Sequence, residues 1–180
     1  LAFARDAFDI SERFDVPVLL RSSVRISHTK TPVAPGERVE RPLVPYEKDP
    51  AKWVMMPAFA KPRRAVQLAR IDDLREWAET CPYNEVVRRG DEVGVVCAGA
   101  AYQHAVEALP EASVFKLGLT WPLPAAALRA FAGSVERLYV VEEGSCYLTD
   151  AVAACGVAVS EPPCALPHAG ELSPGLVRAA

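Results

Sequence analysis

Cys146, Cys155 and Cys164 recur every nine residues, and His168 follows Cys164 by four. Thiolate and imidazole are ligands for zinc and related ions, so this spacing is the first place to look for chemistry. The pattern is not C-x-x-C. Cys155 falls on the core-facing side of a helical segment, and the chain from Pro162 is broken by prolines. Both features argue against convergence on one ion, and no metal site is assigned. Cys81 and Cys97 bring the total to five, an odd number, and Cys97 lies inside an apolar run. Reduced thiols in a cytoplasmic protein fit this usage.

Two other groups carry charge at positions where ligands bind. Glu142 and Glu143 end an apolar strand-like run. Open α/β sheets bind ligands beyond the carboxyl ends of their strands, so this acidic pair could touch a cofactor or a partner domain. It could equally be a solvated strand end or a helix-capping carboxylate. Arg21, Arg25 and His28, in "LLRSSVRISH", form a polar cluster suited to an anion, since arginine forks carboxylates well. Ion pairs with a neighbouring part of a larger domain would use the same residues. The turn "CAGAAY" after Cys97 has one glycine where a dinucleotide fingerprint needs three, and reads as a tight strand-to-helix joint. No nucleophile–base pair and no paired catalytic carboxylates follow from spacing, so no catalytic residue is assigned.

The elements that must position these groups are regular from Asp91 onward. Strand-like runs begin near Val93, Val114, Leu138 and Val157, with helical segments between them. Tyr102, Ala105, Val106 and Leu109 share one helical face; Ala127, Leu128 and Phe131 another; Leu148, Val152 and Cys155 a third. The runs VGVVC, SVFKLGL and RLYVVEE are continuously apolar, the mark of strands covered on both faces. Repeated β-α-β units imply a three-layer α/β domain with a parallel sheet. Ser173 and Pro174 read as N-cap and first residue of a final helix.

Upstream the pattern is looser. Phe3, Ala7, Ile10 and Phe14 predict an amphipathic helix over Ala2 to Phe14, and "VPVLLRSS" a short buried strand. Five prolines between Thr31 and Pro50 mark a semi-extended linker. A helix from about Pro62 to Thr80 presents Leu68, Ile71, Leu74 and Ala78. The chain has 180 residues and a net charge of −3 with both signs interspersed, which points to no nucleic-acid or anionic-membrane partner. Its apolar runs fall short of a membrane span. It starts "LAFARDAFDI", as if inside a helix, and reads as a piece of a longer polypeptide.

"SERFDVPVLLRSSVRISH", "MMPAFAKPRR", "GVVCAGAAYQHAVEALPEASVFKLGLTWPLP", "VERLYVVEEGS" and "GELSPGLV", in this order, resemble the alpha subunit of the indolepyruvate:ferredoxin oxidoreductase family. That family belongs to the thiamine-diphosphate-dependent 2-oxoacid:ferredoxin oxidoreductases. The resemblance implies that residues 1–27 end a domain binding the thiamine pyrimidine ring, 28–90 form a linker with one helix, and 91–180 form a transketolase C-terminal-like domain. It implies thiamine diphosphate, magnesium and iron-sulfur clusters in the full-length enzyme, and none of them in this segment. The implied partners are the remaining domains of the alpha subunit, a beta subunit, ferredoxin and coenzyme A. The implied reaction is oxidative decarboxylation of arylpyruvates to acyl-CoA, with this segment a structural and assembly domain. Two alternatives stay open: a stand-alone transketolase-like interaction module, or part of a pyruvate or 2-oxoglutarate oxidoreductase. An unpartnered N-terminal helix and strand would also suit a swapped homodimer.

Overall fold

The computed structural model describes residues 2–40, 42–160 and 164–180, leaving the side chain of Arg25 outside the description. The chain divides into two compact units, 1–71 and 72–180.

The second unit is built on a sheet of four strands, β1 (Glu85–Val87), β2 (Val93–Ala98), β3 (Ser113–Leu117) and β4 (Arg137–Val141), in the order β1-β3-β2-β4. β2 is central and pairs in parallel with both neighbours, Val95 opposite Val114 on one side and Tyr139 on the other. The three continuous apolar runs therefore form the parallel core expected of them. Alternate side chains feed two separate clusters, as a pleated strand requires. Val95, Cys97, Val114 and Val141 pack with Ala101, Ala105, Leu172 and Val177 on one face. Val96, Phe115, Leu117 and Leu138 pack with Leu128, Phe131, Leu148 and Val152 on the other. Helices thus cover both faces: α5 (Ala101–Ala108) and α8 (Pro174–Ala179) on the first, α6 (Ala125–Ala132) and α7 (Tyr147–Ala154) on the second. This is the three-layer α/β domain that the sequence predicts.

Two details differ. The sheet is mixed, because β1 pairs antiparallel with β3 at the edge, Glu85 opposite Lys116, with their side chains 3.3 Å apart. The run at Val157–Val159 is not a strand. Ser160 gives its N–H to the Leu138 carbonyl at 2.7 Å and accepts the Leu138 N–H on its hydroxyl at 3.0 Å, so a side chain ends the pairing. Val157 is apolar because it is buried beneath the sheet.

Capping explains where the helices start. The Ser173 hydroxyl accepts the Leu176 N–H, and Pro174 opens α8, as predicted. α6 has no side-chain cap of its own; Glu79 accepts the Ala126 and Ala127 N–H groups, each at 2.9 Å. Asn84 Oδ1 likewise accepts the N–H groups of Gly118 and Leu119, each at 3.0 Å, fixing the chain as it leaves β3.

In the first unit, α1 (Ala2–Phe14) forms as predicted, followed by the short α2 (Val24–Ser27) and α3 (Pro50–Trp53). Residues 17–23 form no strand; Leu19 is 94 % exposed. A strand needs a neighbour to pair with, and this apolar run has none among the described residues. The described residues from 29 to 49 contain no helix or strand. Asp15, at φ 51, is the main polar junction: its carboxylate meets Lys52 Nζ at 3.0 Å and the Arg70 guanidinium, and its carbonyl accepts Arg70 Nη1 at 2.9 Å. Burial alone would push its carboxyl up, but the Lys52 hydrogen bond and the charges of Arg70, Lys52 and Arg63 hold it below the ordinary value. α4 (Pro57–Ala78) crosses the boundary between the units and starts more than a turn before the predicted Pro62, which sits inside the helix; of its predicted apolar side, Leu68 in the first unit is exposed, and Leu74 and Ala78 in the second are buried. No helix among the described residues is long and apolar enough to cross a membrane.

Candidate functional site

Strand order in the second unit reverses between β2 and β4: the chain moves from β2 to β3 on one side, then returns to pair β4 on the other. Crevices for ligands in open α/β sheets form beyond the carboxyl ends of strands at such a reversal. Two turns flank it here, Gly99–Ala100 after β2 and Glu142–Cys146 after β4.

The first turn is plain. Gly99 has φ +58, a conformation that favours glycine, and an added Cβ would meet nothing within 4 Å. α5 then begins at Ala101, with Ala100 as an N-cap that makes no side-chain hydrogen bond. The geometry is that of a tight joint, as the missing fingerprint glycines imply.

The second turn carries the polar groups. Glu142 Oε2 accepts the Leu148 N–H at 2.7 Å; Oε1 accepts the Thr149 N–H at 2.9 Å and the Thr149 hydroxyl at 2.6 Å. The carboxylate thereby caps α7 and complements its dipole. Glu143, which is exposed, accepts the Leu172 N–H at 2.9 Å and ties the approach to α8 back to β4. The oxygens of this pair thus bond the start of α7 and the approach to α8.

Arg21 is exposed in the irregular segment after α1, and His28 is the exposed C-cap of α2, its N–H bonded to the Val24 carbonyl at 3.0 Å. Arg25 lies within α2, with its side chain outside the described residues. These three belong to the first unit, Glu142 and Glu143 to the second.

Sequence reasoning missed the next arrangement. Cys146, at the N-cap of α7, is joined to Cys164 by a disulfide with a Cα–Cα distance of 5.7 Å. This corrects the expectation that all five thiols are reduced. His168 Nε2 lies 3.3 Å from Cys146 Sγ and 3.5 Å from Cys164 Sγ. The two cysteines and the histidine form a compact trio beside a shallow opening lined by Glu142, Gly144, Ser145 and Thr149. The expected obstacle to convergence was real for Cys155 alone, which stands apart as a free thiol. The signal was the Cys146, Cys164, His168 spacing; the loop path that closes it depends on Glu143 and Leu172.

The remaining thiols are quiet. Burial pushes Cys97 up to about 12, with nearby Lys116 opposing it only weakly. Burial also raises Cys81 and Cys155. A larger groove of about 290 Å³ runs past β4, lined mainly by apolar groups such as Val93, Leu109, Tyr139 and Val177.

No family model matches the chain. Curated proteins do. It is 36 % identical over 150 residues to the indolepyruvate oxidoreductase subunit IorA of Methanothermobacter thermautotrophicus, covering 79 % of this chain and 24 % of that protein. The IorA subunits of Pyrococcus horikoshii and Archaeoglobus fulgidus match at 34 % and 30 % identity, over 76 % and 87 % of this chain and 23 % and 26 % of theirs. The chain is homologous to a segment of indolepyruvate oxidoreductase subunit IorA. It spans about a quarter of the length of the curated relatives it matches. Among solved structures, the IorA-related chain is similar to 2-oxoglutarate:ferredoxin oxidoreductase from Magnetococcus marinus, solved with 2-oxoglutarate, coenzyme A and succinyl-CoA bound. The TM-score is 0.53 at 18 % identity, covering 69 % of this chain and 23 % of that one. That likeness is one of fold, and it agrees with a transketolase C-terminal-like domain.

Proposed function

We propose that this IorA-related segment is part of a thiamine-diphosphate-dependent 2-oxoacid:ferredoxin oxidoreductase that acts on arylpyruvates such as indolepyruvate. The whole enzyme decarboxylates the oxoacid, passes the electrons to ferredoxin and the acyl group to coenzyme A. The observation that carries this reading is identity of 30–36 % to IorA subunits across most of the chain. A parallel sheet core covered on both faces is in keeping with it.

Within that enzyme, residues 1–27 complete the pyrimidine-binding domain, 28–90 link, and 91–180 serve assembly. Arg21, Arg25 and His28 are cofactor-proximal candidates in the first part. Glu142 and Glu143 keep a structural role at the end of β4, where their carboxylates hold α7 and the loop before α8. Thiamine diphosphate, magnesium and the iron-sulfur clusters are held by other parts of the assembly, which works in the cytoplasm with a beta subunit.

The test is to co-express the complete polypeptide containing this segment with its partner subunit and follow coenzyme-A-dependent dye reduction. Indolepyruvate should be used more efficiently than pyruvate or 2-oxoglutarate. Preference for either of those moves the protein to a sister enzyme; activity with none rejects the reading. Calorimetry on the 180-residue chain alone should show no micromolar binding of thiamine diphosphate.

A further inference from the structure

The proposed reaction makes no use of Cys146, Cys164 and His168, yet two separate stretches of chain bring them to one point. Cys146 leads into α7 from the turn at Gly144, Cys164 stands alone in an irregular loop, and His168 lies in the bend before α8. Cys164 has φ 59, where a residue with a side chain is strained, and such a conformation persists only when its surroundings over-determine it.

A disulfide alone accounts for two members of the trio. It gives no reason for an imidazole nitrogen 3.3 and 3.5 Å from both sulfurs. A tetrahedral zinc ion does. With Zn–S near 2.3 Å and Zn–N near 2.0–2.1 Å, adjacent sulfur and nitrogen ligands stand ~3.6 Å apart and two sulfurs ~3.8 Å apart. The two S···N edges, 3.3 and 3.5 Å, come within about 0.3 Å of that spacing, and the larger change is the separation of the two sulfurs. Glu142 lies beside the opening, but its oxygens are engaged by Leu148 and Thr149, so it does not complete the ligand set. His168 is exposed, which leaves the outer side of the trio open to solvent.

We propose that, with its two thiols reduced, this trio binds one Zn²⁺ through Cys146 Sγ, Cys164 Sγ and His168 Nε2, water filling the fourth position. A dithiol reductant supplies two electrons and two protons to open the disulfide. Zinc then displaces both thiol protons to solvent as the two Zn–S bonds form. The ion would clamp the loop at 164–168 onto the start of α7, so the same three residues exchange a covalent staple for a metal one.

Cobalt is the probe. The 180-residue chain, reduced with a phosphine and freed of metal, is titrated with Co²⁺. The expected result is a thiolate-to-cobalt charge-transfer band with tetrahedral visible bands, saturating at one equivalent and lost on adding Zn²⁺. The oxidised chain should give no such band. Cys164→Ser and His168→Ala should each weaken binding at least ~100-fold, above the 10–100-fold typical of losing an outer-shell partner. Cys155→Ser should bind as the parent does. No thiolate band from the reduced parent chain overturns the proposal, whatever the variants do. So does full-strength binding in His168→Ala or in the Cys146→Ser, Cys164→Ser double variant.

Discussion

Glu142 holds Thr149 through a single oxygen, which accepts both its amide at 2.9 Å and its hydroxyl at 2.6 Å. Thr149 is buried, so both of its donors depend on that carboxylate. Glu142→Ala should therefore destabilise the second unit by about 2 kcal/mol, the scale of lost charge-assisted bonds and a lost cap. Glu142→Gln keeps one acceptor and should lose about half as much. Urea unfolding followed by circular dichroism reads the difference; equal stability of the alanine variant and the parent contradicts the capping role.

Gly118 has no room for a side chain. A Cβ there would run into the Tyr83 carbonyl, with the Tyr83 Cβ 2.7 Å away. Gly118→Ala should cost about 1–3 kcal/mol through backbone displacement. Gly133→Ala is the control: its nearest neighbour is 3.5 Å away and its φ is −69, so the change should stay within about 0.5 kcal/mol. Matched denaturation curves for the two variants test the contrast.

The thiols should separate by reactivity. After reduction, iodoacetamide at pH 8 should label Cys146 and Cys164 rapidly and Cys97 only on unfolding, as read by peptide mass spectrometry. Burial raises Cys97 from 9.0 to about 12, so the neutral thiol is favoured in the fold. Its contribution to stability is whole below pH 9.0 and is lost as pH rises toward about 12. Cys97→Ala should flatten that alkaline slope.

Asp15 should behave in the opposite sense. Its folded carboxyl titrates below 3.8, so its contribution is whole above 3.8 and fades as pH falls through the lower folded value. A carbon-13 titration of Asp15 should give a midpoint under 3.8. Asp15→Asn, which tolerates the left-handed backbone at φ 51, should remove the acid dependence contributed by this site. A midpoint at or above 3.8 contradicts the pairing with Lys52 and Arg70.

The sheet core was legible because strands covered on both faces are largely apolar, and β2, β3 and β4 are so apart from Ser113, Lys116 and Arg137. The same rule misread Val157–Val159 and residues 16–20. One apolar run lies under the sheet, and the other is solvent-exposed; hydropathy records neither pairing nor partner. β1 escaped because three residues give too little alternation to register. At the site, the spacing of Glu142 from the next apolar run already allowed a capping carboxylate. The spacing of Cys146, Cys164 and His168 pointed to the trio, but its closure was not legible, since that depends on where the chain returns in space. Glu79 and Asn84, which reach distant backbone, leave no local trace either.

The order of strands in space is not their order in time. β2, the centre of the sheet, is made before both of its parallel partners. β3 covers one edge first; the other stays open until β4 is complete at Val141, 43 residues beyond the end of β2 at Ala98. At roughly 5–20 residues per second, translation leaves that edge bare for about 2–9 s. Val95, Val96 and Cys97 are among the least accessible side chains in the finished domain. On the nascent chain they are an unpaired apolar edge, open to any neighbouring strand. Crowded polysomes are thus where this domain is most exposed to error, and holding factors that act there, rather than on the finished protein, should govern its yield.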